Sequence, residues 1–181
     1  MTDNLDLEKA LQASQQIEES QAIGRSRGGL TSKIHLLVEG RGRPMAAILT
    51  AGQVHDSTQM AAVLDRIRVP HPGRGRPRKR PVSLLTDKAY TGNPCRQTLR
   101  KHRIVALIPT RENERSVQKK KGSAGGRPFN FDKELYRLRN IVERCINRLK
   151  QNRRIATRYD KRDQSYLAFI TIAMILIWLR S

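Results

Sequence analysis

Fourteen consecutive residues, "YLAFITIAMILIWL" (166–179), carry no charge in a chain whose formal net charge is +20. A membrane span needs about 20 apolar residues, so this run is too short to cross a bilayer. It is expected to be a buried C-terminal helix, and such a helix needs a layer of other elements to cover it. A chain of 181 residues is long enough for one domain with a real core and a small appendage.

The layer is legible upstream as an alternation of strand and helix signals. "KIHLLVEG" (33–40) and "PMAAILTAG" (44–52) read as strands joined by a turn at "RGR". "DSTQMAAVLDRIRV" (56–69) reads as a helix capped by Asp56 or Ser57, with Met60, Val63, Leu64 and Ile67 as its apolar stripe. "PVSLLTDKAY" (81–90) holds a short strand ending at Asp87. "NPCRQTLRKH" (93–102) is a helix with Pro94 at its first position, and "IVALIPT" (104–110) is a further strand. "RENERSVQKKKGSAGGRP" (111–128) reads as a mobile basic loop. Such an order indicates an α/β fold with a mixed sheet flanked by helices.

Charge narrows the partner. Lys and Arg number 36 against 16 acids, which points to a polyanion and most simply to nucleic acid. Aromatic residues are 4% of the chain, too few for platforms that stack single-stranded bases. Residues 1–22 break the pattern with five acids and one base, a net of −4, so the other 159 residues carry +24. This acidic, atypical N-terminal segment is expected to be a marginal amphipathic helix, set apart from the domain over 23–181. It has no apolar core segment, so no secretory signal is expected. Cys95 and Cys145, 50 residues apart and outside any CxxC or Cys/His cluster, read as reduced thiols of a cytoplasmic protein.

One helix mixes signs in a way that needs explaining. "DKELYRLRNIVERCINRLKQ" (132–151) holds Glu143 among basic residues. At about 100° per residue, Leu135, Leu138, Ile141, Val142, Cys145, Ile146 and Leu149 form an apolar face. Arg137, Arg144 and Arg148 form a basic one. Tyr136, Arg139, Glu143 and Lys150 lie on a strip between them. An i, i+4 pair between Arg139 and Glu143 is the plain reading, contributing about 0.2–0.5 kcal/mol.

The spacing of that strip carries a second reading. Tyr136, two residues, Arg139, three residues, Glu143, six residues, Lys150 resembles the Y-R-E-K signature of DDE transposases from bacterial insertion sequences. "GRSRGGLTSKIHLLVEGRGRP", "LTAGQVHDS", "LLTDKAY" and "NIVERCINRLKQNRRIATRYDK" are similar to the IS-five group in particular, and the similarity spans residues 21–181 in the family's order.

The resemblance implies a ribonuclease-H-like fold in which three carboxylates hold two Mg²⁺ or Mn²⁺ ions for DNA cleavage and strand transfer. Asp87, at the carboxyl end of an apolar strand, matches the second carboxylate, and Glu143 matches the third; a turn or cap role is the plain alternative for Asp87. Arg139 and Lys150 would contact DNA phosphates, and Tyr136 would position the strand. The first carboxylate should end a strand in a D-[SG]-T segment some two dozen residues before "GRSRGG". Counting back from Gly24 reaches the start of this chain, where Asp3 and Asp6 lack a strand context. The expectation is therefore an N-terminally truncated transposase lacking its usual first strand. It would act on double-stranded DNA at insertion-sequence ends and target, in the cytoplasm at the nucleoid. It would work as a homo-oligomer or with a complementing transposase chain, without a membrane partner. A catalytically inactive DNA-binding remnant is the alternative.

Two basic stretches add to the electrostatic footprint. "GRGRPRKRP" (73–81), within a loop over 70–81, resembles an AT-hook through Arg74, Arg76 and Arg78, with a plain basic connector as the alternative. "GRSRGG" (24–29) offers Arg25 and Arg27 to phosphate. His35, His55, His71 and His102 have no metal-ligand spacing.

Overall fold

A computed structural model describes residues 21–125 and 133–181. The expected helix over 1–22 therefore lies almost wholly outside the described residues. The chain divides into two compact units, Met1–His55 with Arg144–Ser181, and Asp56–Glu143.

The first unit is a small antiparallel sheet covered by the apolar C-terminal helix. Strand β1 (Gly24–Ser26) pairs with β2 (Gly29–Val38), which pairs with β3 (Pro44–Ala51) in the register Ile34↔Leu49 and Leu36↔Ala47. Opposed residues of an antiparallel pair share a face. Ile34, Leu36, Val38, Ala47 and Leu49 accordingly pack together against the buried residues Tyr166, Ile170, Ala173 and Ile177. These four belong to the helix Asp163–Leu179 and recur at spacings of 4, 3 and 4. Cys145, Leu149 and Ile155 complete this core. Burying a side chain as fully as Ile170, at 0% exposure, is worth about 1.5–3 kcal/mol.

The expected buried helix is thus found, but only one of its faces is covered. Ile172, Ile175 and Leu179, on the other face, are exposed. No helix of the described residues is long and apolar enough to cross a membrane. Trp178 fixes the helix end to the sheet: its indole N–H donates to the Pro44 carbonyl at 2.6 Å, and the Arg43 guanidinium lies 4.1 Å over its ring.

One arginine closes this unit. Arg158 donates through Nε to the Asp160 carbonyl (2.8 Å), through Nη1 to Ala22 O (3.2 Å) and Ser32 Oγ, and through Nη2 to Gln21 O (2.9 Å) and Lys161 O (2.8 Å). All five guanidinium N–H groups are used.

The second unit holds a parallel pair, β4 (Ser83–Leu85) with β5 (Val105–Leu107), register Leu84↔Ala106. Helix α1 (Met60–Asp65) buries Met60, Val63 and Leu64. It is shorter than expected, because residues Asp56–Gln59 form a 3₁₀ turn instead. Gln59, not Asp56 or Ser57, stands at its N-cap, without a side-chain cap bond. Helix α2 (Asn93–Lys101) connects the two strands and buries Cys95, Arg96 and Leu99. It closes in a Schellman arrangement: Ile104 N–H donates to Leu99 O and Arg103 N–H to Arg100 O, each at 2.9 Å. Arg103 takes the left-handed conformation there, with φ of 55°.

Two expectations need correction. The stretch 111–128 is not a loop over most of its length: α3 (Glu112–Lys120) and a 3₁₀ turn (Gly122–Gly125) occupy it, while 126–132 lie outside the described residues. Glu112 and Glu114 in the first turn, with Lys119 and Lys120 in the last, suit the helix dipole. Net basicity hid that arrangement. The continuous helix over 132–151 is instead two, α4 (Lys133–Arg137) and α5 (Asn140–Lys150), with tight i→i−3 bonds through Leu138 and Arg139. The single apolar face is broken with it. Cys145 and Leu149 are buried, but Leu135 and Leu138 are exposed. Helices α6 (Arg153–Ala156) and α7 (Asp163–Leu179) complete the chain.

Candidate functional site

Asp87 follows β4 by two residues, at the carboxyl end of a parallel strand, where open α/β sheets place their ligands. Its backbone is extended, its side chain caps the 3₁₀ turn Lys88–Tyr90, and Oδ1 accepts from Lys88 N–H at 2.5 Å. The cap role and the site role are therefore compatible at one carboxylate. A second layer holds the turn in place. Arg111 Nε donates to the Lys88 carbonyl at 3.2 Å, and the buried Thr91 hydroxyl donates to Glu114 Oε1 at 2.9 Å. The buried Arg96 guanidinium donates to the Ile108 carbonyl at 2.9 Å, and its charge interacts with that of Glu114. Glu114 belongs to α3 and Arg111 stands at its N-cap, both in the segment read from sequence as a mobile loop.

The i, i+4 ion pair between Arg139 and Glu143 is present. It is also more than a helix-surface pair. The other arm of the same guanidinium, Nη1, reaches Asp87 Oδ1 at 3.3 Å and the Tyr136 hydroxyl at 3.5 Å. Asp87 and Glu143, 56 residues apart in sequence, thus converge on one cation. The side chains of Asp87, Glu143 and Arg139 are 59%, 52% and 36% exposed, so the cluster is open to a ligand. Burial opposes the charge on Arg139, but Tyr136, Glu143 and Asp87 outweigh it and raise the guanidinium's pKa.

Tyr90 borders this cluster, and the sequence did not single it out. Burial first, then the negative charges of Asp56, Cys95 and Asp87, push its phenol up to about 12. Asp56, expected only as a helix cap, therefore belongs electrostatically to the same neighbourhood. Among the described residues no group of three His, Cys, Asp or Glu side chains could hold a metal ion. Asp87 and Glu143 are two exposed carboxylates, hard oxygen donors by type. That suits Mg²⁺ or Mn²⁺ bound through one or two carboxylates with substrate phosphates filling the shell.

Of the other expected DNA-contacting residues, Lys150 is exposed at the end of α5, in the first unit. Arg25 and Arg27 are exposed on the β1–β2 hairpin, whose turn is tied by Ser26 Oγ donating to Gly29 O at 3.2 Å. "GRSRGG" is thus a strand–turn–strand and not a loop opening a helix. Arg74, Arg76 and Arg78 sit on a wholly exposed loop. Val69 and Arg78 close its base by exchanging two backbone bonds of 2.9 Å. His35 is buried and bonded to Thr50 Oγ1 at 2.8 Å, while His71 Nδ1 accepts from Gly73 N–H at 3.2 Å. Both cysteines are buried free thiols, and burial pushes both thiols up.

Comparison with known proteins shows a family. The family model described as the transposase DDE domain matches residues 8–178. A protein of Burkholderia cepacia assigned as the transposase for insertion sequence element IS402 is 32% identical over 153 residues; the match covers 84% of this chain and 64% of that protein. A protein of Brucella ovis assigned as the transposase for insertion sequence element IS6501 is 26% identical over 155 residues, 83% of this chain and 100% of that protein. No solved structure matches the chain.

Proposed function

This chain belongs to the transposase DDE-domain family, and on that premise we propose that it cleaves and joins DNA strands at the ends of an insertion sequence. The observation that carries the reading is the convergence of Asp87 and Glu143 on the Arg139 guanidinium. Two carboxylates drawn together by one cation make a place where phosphate, divalent metal and a basic side chain can meet. Bound there, Mg²⁺ or Mn²⁺ would supply Lewis acidity at the attacking and leaving oxygens of an in-line displacement.

The chain's own residues do the rest. Asp87 and Glu143 would hold the metal by oxygen. Arg139 and Lys150 neutralise phosphates beside the scissile bond. Tyr136 positions the strand, and Arg25, Arg27, Arg74, Arg76 and Arg78 anchor flanking duplex through its backbone. The fold in this reading is ribonuclease-H-like. The antiparallel sheet β1–β3 and the parallel pair β4–β5 supply strands of such a fold, a complementing transposase chain supplies the first carboxylate of the set, and the work is done on the bacterial nucleoid.

Plasmid nicking with Mg²⁺ or Mn²⁺ tests this. Nicking by the wild type that is lost in Glu143→Gln is the expected result. A second reading, a DNA-binding remnant without catalysis, is favoured by the lack of a three-ligand metal group among the described residues. Metal-independent, salt-sensitive DNA binding with no nicking would establish it.

A further inference from the structure

We propose that Arg139 is a positioning residue that stands in for the metal in the DNA-free chain and yields the carboxylates only when a DNA phosphate draws it away. The inference rests on the reading of Asp87 and Glu143 as metal ligands and adds an order of assembly to it. One arm of the guanidinium donates to Asp87 Oδ1 at 3.3 Å and the other to Glu143 Oε1. An oxygen lone pair given to an N–H is not available to a cation. The local charge is −1 with the guanidinium in place, from two carboxylates and one arginine. It becomes −2 once the guanidinium leaves, and a divalent ion is attracted far more strongly to the second arrangement.

Arg139 has another anion suited to it. A planar guanidinium binds phosphate bidentately, and release of condensed counterions from DNA adds to the drive. Its tether also allows the exchange. Arg139 sits at the junction of α4 and α5, where the helical hydrogen bonds tighten to i→i−3, and its side chain is one-third exposed. Tyr136 flanks it, with the guanidinium carbon 5.7 Å from the ring centre. That contact leaves an aromatic face on which the guanidinium can turn without losing all its partners. Metal and DNA then bind with positive coupling. By linkage each raises the affinity for the other by the same factor, so the carboxylates bind metal more weakly until substrate is present.

Mn²⁺ binding tests this, read from the loss of the free-ion paramagnetic resonance signal on the full chain. It is measured with and without a short duplex, with the duplex-only signal subtracted. Two pairs of contacts at an exposed site should be worth about tenfold in affinity. Arg139→Gln without DNA is expected to bind Mn²⁺ about tenfold tighter than wild type, and duplex should tighten the wild type but not the variant. Arg139→Lys, which keeps the charge but lacks the fork, should fall between them; matched circular dichroism melts show that each variant folds. Mn²⁺ bound in a Glu143-dependent way, yet no tighter in Arg139→Gln, overturns the gating role and leaves the metal site standing. Mn²⁺ binding that is absent throughout, or unaffected by Glu143→Gln, overturns the metal reading and the gating role with it.

Discussion

Replacing Arg158 by lysine should destabilise the first unit by about 2–4 kcal/mol. The guanidinium makes five donations, to four carbonyls and the Ser32 hydroxyl, at 2.8 to 3.2 Å where distances are of ordinary length. An ammonium has three donors, so at least two acceptors lose their partner. A hydrogen bond to a charged group contributes about 1.5–3 kcal/mol. Two of them give about 3–6, which half-burial and access of water reduce to the lower figure. The Ala22 carbonyl is partly spared, because Ser32 Oγ also donates to it at 2.5 Å. The molecule carries its own reporter, since the only tryptophan, Trp178, belongs to this unit. Urea unfolding followed by Trp178 fluorescence should show the midpoint lowered by roughly 1–2 M at an m-value of about 2 kcal/mol/M. A shift equivalent to less than about 1 kcal/mol would mean that the five contacts are exchanged for water without loss, and the account of Arg158 as the clasp of this unit would fail.

Arg103→Gly should stabilise the second unit by about 1 kcal/mol, since a left-handed residue at φ of 55° costs a non-glycine side chain about that much; a lower melting temperature in the variant would refute it. Tyr90 gives a pH signature. Its folded pKa of about 12 lies above the unfolded value of about 10. Its contribution to stability is therefore complete below pH 10 and is lost as the pH rises towards 12. Ultraviolet titration should show Tyr90 ionising late, alongside Tyr166, whose phenol burial also pushes up, and the late amplitude should shrink in Tyr90→Phe. Replacing Arg74, Arg76 and Arg78 together by alanine should lower the salt slope of duplex binding by roughly 2.7, at about 0.9 per phosphate contact; an unchanged slope would place the loop off the DNA.

What was legible in the sequence was whatever periodicity and residue type encode directly. The β2–β3 pair, the helix that holds Pro94, the strand before Asp87 and the existence of α7 all follow from pattern. Asp87 and Glu143 could be singled out because a family spacing marks them. Their convergence could not be read, because it depends on a tertiary contact across 52 residues between Asp87 and Arg139. The break between α4 and α5 was hidden because "LYRLRNIV" contains no glycine or proline to mark it. The helix α3 was missed because lysines and a glycine-rich end outweighed the acid-first, base-last order that favours a helix. Nothing in the sequence singles out Arg158 in its strongly basic segment. Only the fold shows that its guanidinium meets four carbonyls and the Ser32 hydroxyl.

The interrupted first unit has a consequence for how the molecule is made. The ribosome releases Met1–His55 long before the Arg144–Ser181 segment that completes the unit. At about 5–20 residues per second, the hairpin β2–β3 waits roughly 6–25 s for α7 to emerge. During that wait Ile34, Leu36 and Leu49 have no covering helix, while the contiguous stretch Asp56–Glu143 can fold as soon as it appears. The order of synthesis is thus the reverse of the order of completion: the inserted stretch is whole before the unit that begins ahead of it. The arrival of the apolar run that first constrained the fold ends the period in which the nascent sheet is most open to wrong partners.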